Sequence, residues 1–302
     1  MRTTRLVGLA IATGLIAVGL AIGGCAGASG GAPPTTVSSA QMAEDEPAAD
    51  LTEHHRHHHH GGVTLWVAMT LDSLGLDPAA TARVENIQTD LFAKMEPAHA
   101  AERALISTVA DGIAAGSVDQ SKVDAAIAQV AATAGAVPEA VVDDLNQLHA
   151  ALTPEQRATL VDKVAAHWSV WKTVNSEQEQ AGQDSNHDGV VSTSEQGHLE
   201  RLGKELALSA EQMEKARAAF GTRMSSGGAK FDPAPVEAYI HGLETAFKTD
   251  PFDARTLQQG NNANTAVAAW GARRMASFYA ALAPVLTPEQ RTKLAESLRV
   301  SK

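Results

Sequence analysis

Apolar residues recur at intervals of three and four residues along most of the chain after residue 63. Val84, Ile87, Leu91 and Met95 form one such series, and this spacing places side chains on a single face of an α-helix. The sequence has no sustained alternation of apolar and polar residues of the kind that indicates strands. Helical spacing recurs in three later stretches: Val123–Val130, Leu160–Trp171 and Val236–Phe247.

Prolines, glycines and capping residues divide the first part of this pattern into four predicted helices. Asp77 followed by Pro78 is typical of a helix start, because the aspartate caps the helix and proline suits its first turn. Gly135 and Pro138 are predicted to end the third helix. The predicted boundaries are 77 to about 95, 97–116, 117 (with Ser117 as cap) to 135, and 139–151.

The hexapeptide LTPEQR occurs twice, at Leu152–Arg157 and at Leu286–Arg291. In the first copy Thr153 is a predicted N-cap, and Gln156 is placed to bond back to the backbone N–H of Thr153. The proline after the cap occupies a position where its missing N–H costs nothing. Each copy therefore predicts the start of a helix.

The second part of the chain repeats the order of these signals. Ser209 and Gln212 form another predicted capping box, and its helix is expected to end near Met224. Further helices are predicted from Asp232-Pro233 and from Asp250-Pro251, the last running toward residue 283 with a polar interruption at 261–264.

The intervals between start signals indicate a tandem duplication. Thr153 follows Asp77 by 76 residues, and Thr287 follows Ser209 by 78 residues. Matching start signal, end signal and interval predict two copies of a helical unit. The composition agrees with an all-α fold, since only 4% of the residues are aromatic and 44% are hydrophobic.

The N-terminus resembles a bacterial lipoprotein signal. Arg2 and Arg5 precede an apolar stretch that ends in small residues and Cys25, the only cysteine of the chain. The resemblance implies cleavage after residue 24, lipidation of Cys25 and a membrane-anchored protein of the cell envelope that faces the periplasm. An ordinary signal peptide with an incidental cysteine is the alternative. Loss of both arginines makes the net charge of −11 about two units more negative, and this acidity argues against a nucleic-acid partner.

Residues 25–62 are predicted to form a flexible tether that carries a histidine-rich tract. Neutral imidazoles bind zinc, copper or nickel, so the tract is a candidate transition-metal site. A solvated spacer or a cloning artefact is the alternative reading, although Arg56 interrupts the run. The candidate ligands are His54, His55, His57, His58, His59 and His60.

The segment DSNHDGVVSTSE, from Asp184 to Glu195, matches the EF-hand loop pattern at each of its positions. Calcium requires six to eight hard oxygen ligands, and this spacing supplies them. Gly189 permits the sharp turn at the sixth loop position. A polar linker without calcium is the alternative. The predicted ligands are Asp184, Asn186, Asp188, the backbone carbonyl of Val190, Ser192 and Glu195.

The paired motifs resemble the LTxxQ family of Spy and CpxP, which also has metal-responsive members. The motifs are Leu74–Asp77 with Leu152–Gln156, and Leu206–Gln212 with Leu286–Gln290, although Ala80 stands where the first opener should have glutamine. The resemblance implies helical-hairpin units that form a cradle for unfolded proteins without ATP. Two units in one chain would then form a covalent pseudo-dimer.

Together these features predict an all-α protein with two tandem helical-hairpin units, at 63–172 and 204–302, joined by a helix–EF-hand loop–helix segment at 173–203. The expected function is that of an ATP-independent chaperone for unfolded or stressed envelope proteins. A metal-responsive sensor or buffer and a structural calcium-binding lipoprotein are the alternatives. The sequence contains no nucleophile elbow, phosphate loop or dinucleotide fingerprint, so no enzymatic activity is expected.

Overall fold

The computed structural model describes residues 62–183, 193–225, 234–258 and 262–300, and all regular secondary structure in these ranges is α-helical. The predicted all-α fold is confirmed. The helices are α1 (Gly62–Ser73), α2 (Pro78–Ala115), α3 (Gln120–Ala140), α4 (Val142–Ala151), α5 (Pro154–Gln183), α6 (Thr193–Glu205), α7 (Ala210–Ser225), α8 (Ala234–Phe247), α9 (Arg255–Gln258), α10 (Ala263–Leu282) and α11 (Pro288–Val300).

Four of the predicted helix caps are present in the structure. The N–H of Thr153 donates to Gln156 Oε1 at 3.0 Å, and the N–H of Gln156 donates to Thr153 Oγ1 at 3.2 Å. Asp77 accepts a hydrogen bond from the N–H of Ala80 at 2.8 Å. The reciprocal pair of bonds recurs in two further capping boxes, Ser209 with Gln212 and Thr287 with Gln290.

Two predicted helix breaks are wrong. Helix α2 runs through Pro97 because its apolar side chains face the core on both sides of the proline, and this burial outweighs one lost hydrogen bond. Helix α3 runs through Gly135 and Pro138. A Cβ at Gly135 would lie 2.3 Å from Thr265 Oγ1, so this glycine allows close packing of α3 on α10 rather than ending α3.

Two predicted starts also differ from the structure. Asp119, rather than Ser117, caps α3 and accepts bonds from the backbone N–H groups of Ser121 and Lys122. Asp250-Pro251 does not open a helix, since residues 250–254 are non-helical and α9 begins only at Arg255. Contacts of this segment with α4 and α5, described below, outweigh its local capping signal. The predicted start at Asp232-Pro233 lies outside the described residues.

One hydrophobic core includes residues from both halves of the described chain, where the first half is α1–α5 and the second half is α6–α11. Helix α2 packs on α3 and α11, and α3 also packs on α10. Helix α5 of the first half packs on α8 of the second. The C-terminal helix of each half therefore contacts a helix of the other half, while the division into two units stays a prediction.

Positions that lie 134 residues apart, as the two LTPEQR copies do, are called equivalent positions. Several equivalent positions of α2–α4 and α8–α10 are buried in both halves, while the duplication stays a prediction. Pairs buried in both halves include Val109 with Leu243, Ile113 with Phe247, Leu145 with Tyr279 and Leu148 with Leu282.

Candidate functional site

Most predicted calcium ligands lie outside the residues that the structure describes. Glu195 lies within α6, but its side chain is not among the described atoms. The ligands outside the described residues are Asp184, Asn186, Asp188, Val190 and Ser192. The EF-hand interpretation thus stays a prediction from the sequence.

The histidine tract and the predicted lipidation site, Cys25, also lie outside the described residues. The tract comprises His54, His55, His57, His58, His59 and His60. Within the described part of the chain, no three histidine, cysteine, aspartate or glutamate side chains are arranged to hold a metal ion. The candidate donor sets are those predicted from the sequence, in the histidine tract and in the segment from Asp184 to Glu195.

The first LTPEQR copy is anchored on the second half of the chain through its arginine. Arg157 Nη1 donates to Asp250 Oδ1 at 2.8 Å, and Nη2 donates to Oδ2 at 2.7 Å. The guanidinium is buried, while the carboxylate of Asp250 remains largely exposed. Such a bidentate pair fixes both distance and orientation, so it positions α5 against the segment after α8.

His149, from α4, completes this contact. Its imidazole is buried, with only 6% of the residue exposed, and its Nε2 lies 3.1 Å from the carbonyl oxygen of Thr249. Its Nδ1 lies 3.0 Å from Arg157 Nη1, and the same Nη1 also contacts Nε2. Phe252 stacks on the ring at a centroid distance of 4.6 Å. These residues, Arg157, His149, Thr249, Asp250 and Phe252, are called the first junction.

The second LTPEQR copy makes an equivalent contact with different chemistry. Arg291 lies against Gly116, where α2 ends, and a Cβ at Gly116 would be 1.8 Å from Arg291 Nη1. Gly116 has φ of 84°, a left-handed conformation that glycine adopts without strain. Gly116 is the equivalent position of Asp250, and Ala283 that of His149. Arg291, Gly116 and Ala283 are called the second junction.

The electrostatics of the first junction favour a neutral His149. Burial lowers the pKa of its imidazole below the ordinary value, and the positive charge of Arg157 lowers it further. The carbonyl of Thr249 and the charge of Asp250 oppose this shift. The guanidinium of Arg157 in turn lowers the pKa of Asp250 through its hydrogen bonds, so the Arg157–Asp250 pair stays charged.

Two buried carboxyl groups lie elsewhere in the first half. Burial raises the pKa of Glu102, in α2, to about 9, and its Oε1 has no hydrogen-bond partner among the described residues. Its equivalent position in α8 is Val236, which is buried and apolar. Burial also raises the pKa of Asp144 to about 6, although Lys94 Nζ lies 3.0 Å from its Oδ2.

A family model for heavy-metal resistance matches residues 7–159. This match covers just over half of the 302-residue chain and runs from the N-terminal segment into the first turns of α5. The chain belongs to the heavy-metal-resistance family. This family is helical and related to Spy and CpxP, which agrees with the resemblance of the LTxxQ motifs and with the all-α structure.

Searches of curated proteins and of solved structures give no significant match. Membership of the heavy-metal-resistance family therefore carries the functional information, and it indicates a metal-related helical protein. Among the described residues, no single helix is long and apolar enough to cross a membrane, and only α3 and α4 taken together, across their 40° bend, have the required length and composition.

The first junction was not predicted for this heavy-metal-resistance protein. Two signals in its sequence pointed to it: the recurrence of arginine at the end of both LTPEQR copies, and the presence of Asp250 where the first half has Gly116. His149 belongs to none of the motifs in the sequence. It is buried and bonded across 100 residues of sequence, a relation that local spacing does not reveal.

Proposed function

We propose that this member of the heavy-metal-resistance family is a membrane-anchored envelope protein that binds metal through two segments. One is the histidine tract before the first half, and the other is the loop between the halves. The observation that carries the proposal is the family match, because its range of 7–159 includes the whole histidine tract. The helical frame holds the two segments at a membrane surface and contributes one ligand, Glu195 from the first turn of α6.

The two segments suit different metals. The imidazole nitrogens of His54–His60 favour zinc, copper or nickel, and a run of such ligands binds them rapidly and with little selectivity. The carboxylates and neutral oxygens between Asp184 and Glu195 favour calcium. An unpaired loop with three carboxylates is expected to bind calcium with Kd of about 10⁻⁵ to 10⁻³ M.

Calorimetric titration of the mature protein with zinc and with calcium tests this assignment. Replacing the six tract histidines by glutamine should abolish zinc binding and leave the calcium heat unchanged. Glu195→Gln should do the reverse. His241→Gln, which changes an exposed histidine of α8, is the matched control and should alter neither titration. Zinc binding that survives the tract substitution would remove the tract from the proposal.

The membrane anchor is the lipidated Cys25. A lipid on this residue leaves residues 26–53 between the membrane and the histidine tract. The intact mass of the protein extracted from membranes should equal that of a chain that begins at Cys25 with its acyl groups. Cys25→Ser should release the protein into the soluble fraction. An unmodified chain that begins elsewhere would contradict the anchor.

A second candidate function, an ATP-independent chaperone, is supported by the relation of the family to Spy and CpxP. Here the two halves act as a pseudo-dimer within one chain and hold unfolded or stressed envelope proteins, with no catalytic activity. Suppression of aggregation of a denatured protein at near-stoichiometric amounts, without nucleotide, tests this function. Protection that persists with the glutamine-substituted tract would favour the chaperone, and absence of protection would favour metal buffering or sensing.

A further inference from the structure

The two junctions differ at two positions: the first has Asp250 and His149, and the second has Gly116 and Ala283 there. Both place the arginine of LTPEQR against the other half of the chain, but only the first places a titratable imidazole beside that arginine. At the second junction the equivalent position is Ala283, whose methyl group does not titrate. The second junction is therefore a comparison that lacks both the titratable imidazole and the carboxylate, and a His149 variant is needed to separate the two.

The hydrogen-bonding capacity of imidazole makes the first junction sensitive to one proton. A neutral ring has one N–H donor and one bare nitrogen that accepts a hydrogen bond, whereas a charged ring has two donors and no acceptor. A guanidinium has donors only. The Nε2–H of neutral His149 donates to the carbonyl of Thr249, which leaves Nδ1 bare and 3.0 Å from Arg157 Nη1, from which it accepts. After protonation the ring and the guanidinium present only N–H groups and positive charge to each other.

We propose that His149 is a proton-operated latch: acidification protonates its ring, which displaces Arg157 and loosens the hold of α4 and α5 on residues 249–252. The release is local, because the only pairing that it breaks directly is that of Arg157 with His149 and Asp250. Lys248 stays paired with Asp162, Asn146 stays bonded to Asp253 and Ala254, and the second junction stays closed. The latch therefore changes how the C-terminal helix of the first half is held by the second half.

The other charged groups around α4 are already engaged or exposed, so they do not substitute for the latch. Asp250 is the one carboxylate bonded to Arg157 among the described residues, and a single negative charge does not neutralise two adjacent cations. The remaining groups pair as Lys94 of α2 with Asp90 and Asp144, Lys248 with Asp162, Arg255 with Asp143, and Asp253 with Asn146, while Glu139 at the end of α3 is exposed.

The direction of the pH effect follows from the lowered pKa of His149. The unfolded chain binds a proton at His149 near the ordinary value of 6.5, while the folded chain resists protonation until a lower pH. The stabilisation from the neutral ring is therefore complete above pH 6.5 and is lost as pH falls through the folded pKa. Asp144, with a pKa of about 6, titrates in the same range, so the test must separate the two groups.

Hydrogen–deuterium exchange of the full mature protein, corrected for intrinsic exchange rates, tests the latch between pH 7.5 and pH 4.5. Peptides covering 247–256 should lose protection on acidification, because protonation of His149 removes the contact with Arg157 that holds this segment. Peptides covering 110–118, at the second junction, should keep their protection. His149→Gln, whose amide retains an acceptor without titrating, should remove the pH dependence at 247–256 and leave Asp144 intact.

Three results would overturn the proposal: no loss of protection at 247–256 in the wild type, an equal loss in His149→Gln, or an equal loss at both junctions. His241→Gln is the control for removal of an exposed histidine and should behave as the wild type. Ring-proton NMR of wild-type His149 supplies a second readout that needs no variant. A ring that remains neutral from pH 7.5 to pH 4.5 would also overturn the latch.

Discussion

The first LTPEQR helix docks through Arg157 on a carboxylate and an imidazole, whereas the second docks through Arg291 on the backbone of Gly116. The same six residues therefore begin two helices in the same way and end in two different contacts. The motif itself provides a helix cap and an arginine that reaches the other half of the chain. The residues that this arginine contacts differ between the two copies. The halves also differ at equivalent positions elsewhere, such as Glu102 and Val236. The second half folds into helices without a glutamate there, so Glu102 is not required for the helical fold.

The largest effect on stability is expected for Glu102→Val. This substitution gives the first half the residue that the second half has at the equivalent position, Val236. We expect the free energy of unfolding to rise by on the order of 3 kcal/mol at pH 7, because a carboxyl with a pKa of about 9 must keep a proton that the unfolded chain releases near 4.5. The stabilisation from protonated Glu102 is complete below pH 4.5 and is lost as pH rises through about 9.

Urea denaturation of the wild type and Glu102→Val at pH 5, 7 and 9 measures this effect. The stability gap between the two proteins should widen with each step in pH. Glu85→Val, which alters an exposed glutamate of the same helix, should show no such widening. A gap for Glu102→Val that is independent of pH would mean that the carboxyl ionises freely in the folded protein.

The two arginines should differ in their contribution to stability. Arg157→Ala removes the bidentate pair with Asp250 and the contact with His149, so a loss of about 2 kcal/mol is expected at pH 7.5. Arg291→Ala should cost less than about 1 kcal/mol, because no described residue forms a hydrogen bond with its guanidinium and mainly packing of its stem is lost. Equal losses in urea denaturation would refute the distinction between the junctions.

Among the capping-box glutamines, Gln212 of the second half should contribute more to stability than Gln156 of the first half. This order is the opposite of that expected for the two arginines. Gln212 donates to the carbonyl of Val285 at 3.0 Å and to Gln290 Oε1 at 2.7 Å, in addition to accepting from Ser209. Gln212→Ala should therefore cost about 1.5 kcal/mol. Gln156→Ala, which removes only the bond from the N–H of Thr153, should cost about 0.5 kcal/mol. Thermal denaturation that ranks the two variants in reverse would show that the Gln212–Gln290 contact is not formed in solution.

The smallest difference in stability is expected between substitutions of the two capping threonines, Thr153 and Thr287. Thr153→Ala and Thr287→Ala each remove one acceptor from the first turn of a helix, so each should cost about 1 kcal/mol. Equality of the two values in denaturant melts would support a shared capping role for both LTPEQR copies. Values that differ by more than about 0.5 kcal/mol would mean that one threonine has a further role.

Local signals in the sequence predicted the helix starts at Pro78, Pro154, Ala210 and Pro288, since capping bonds span only three residues. They also predicted the apolar faces, because helical periodicity is itself local. Signals from proline and glycine were misleading where a neighbouring helix decided the outcome. Gly135 is present for the approach of α10, and Asp250-Pro251 is held by the first junction instead of starting a helix.

The junctions could not be predicted from spacing alone. Arg157 and Asp250 are 93 residues apart, and only the packing of α5 on α8 brings them together. The candidate metal segments present the opposite case. Their ligand chemistry is evident from the residues between 54 and 60 and between 184 and 195, and no contact in the described frame was needed to propose them.

The central claim is that metal is bound by the histidine tract and by the segment from Asp184 to Glu195, and not elsewhere in the helical frame. Measurement of bound zinc and calcium after equilibrium dialysis tests it most directly, with a variant that combines Glu195→Gln and glutamine at the six tract histidines. We predict that the wild type retains both metals and that the variant retains neither, with unchanged helical circular dichroism. Metal retained by the folded variant at wild-type stoichiometry would contradict the claim and place the site within the helices.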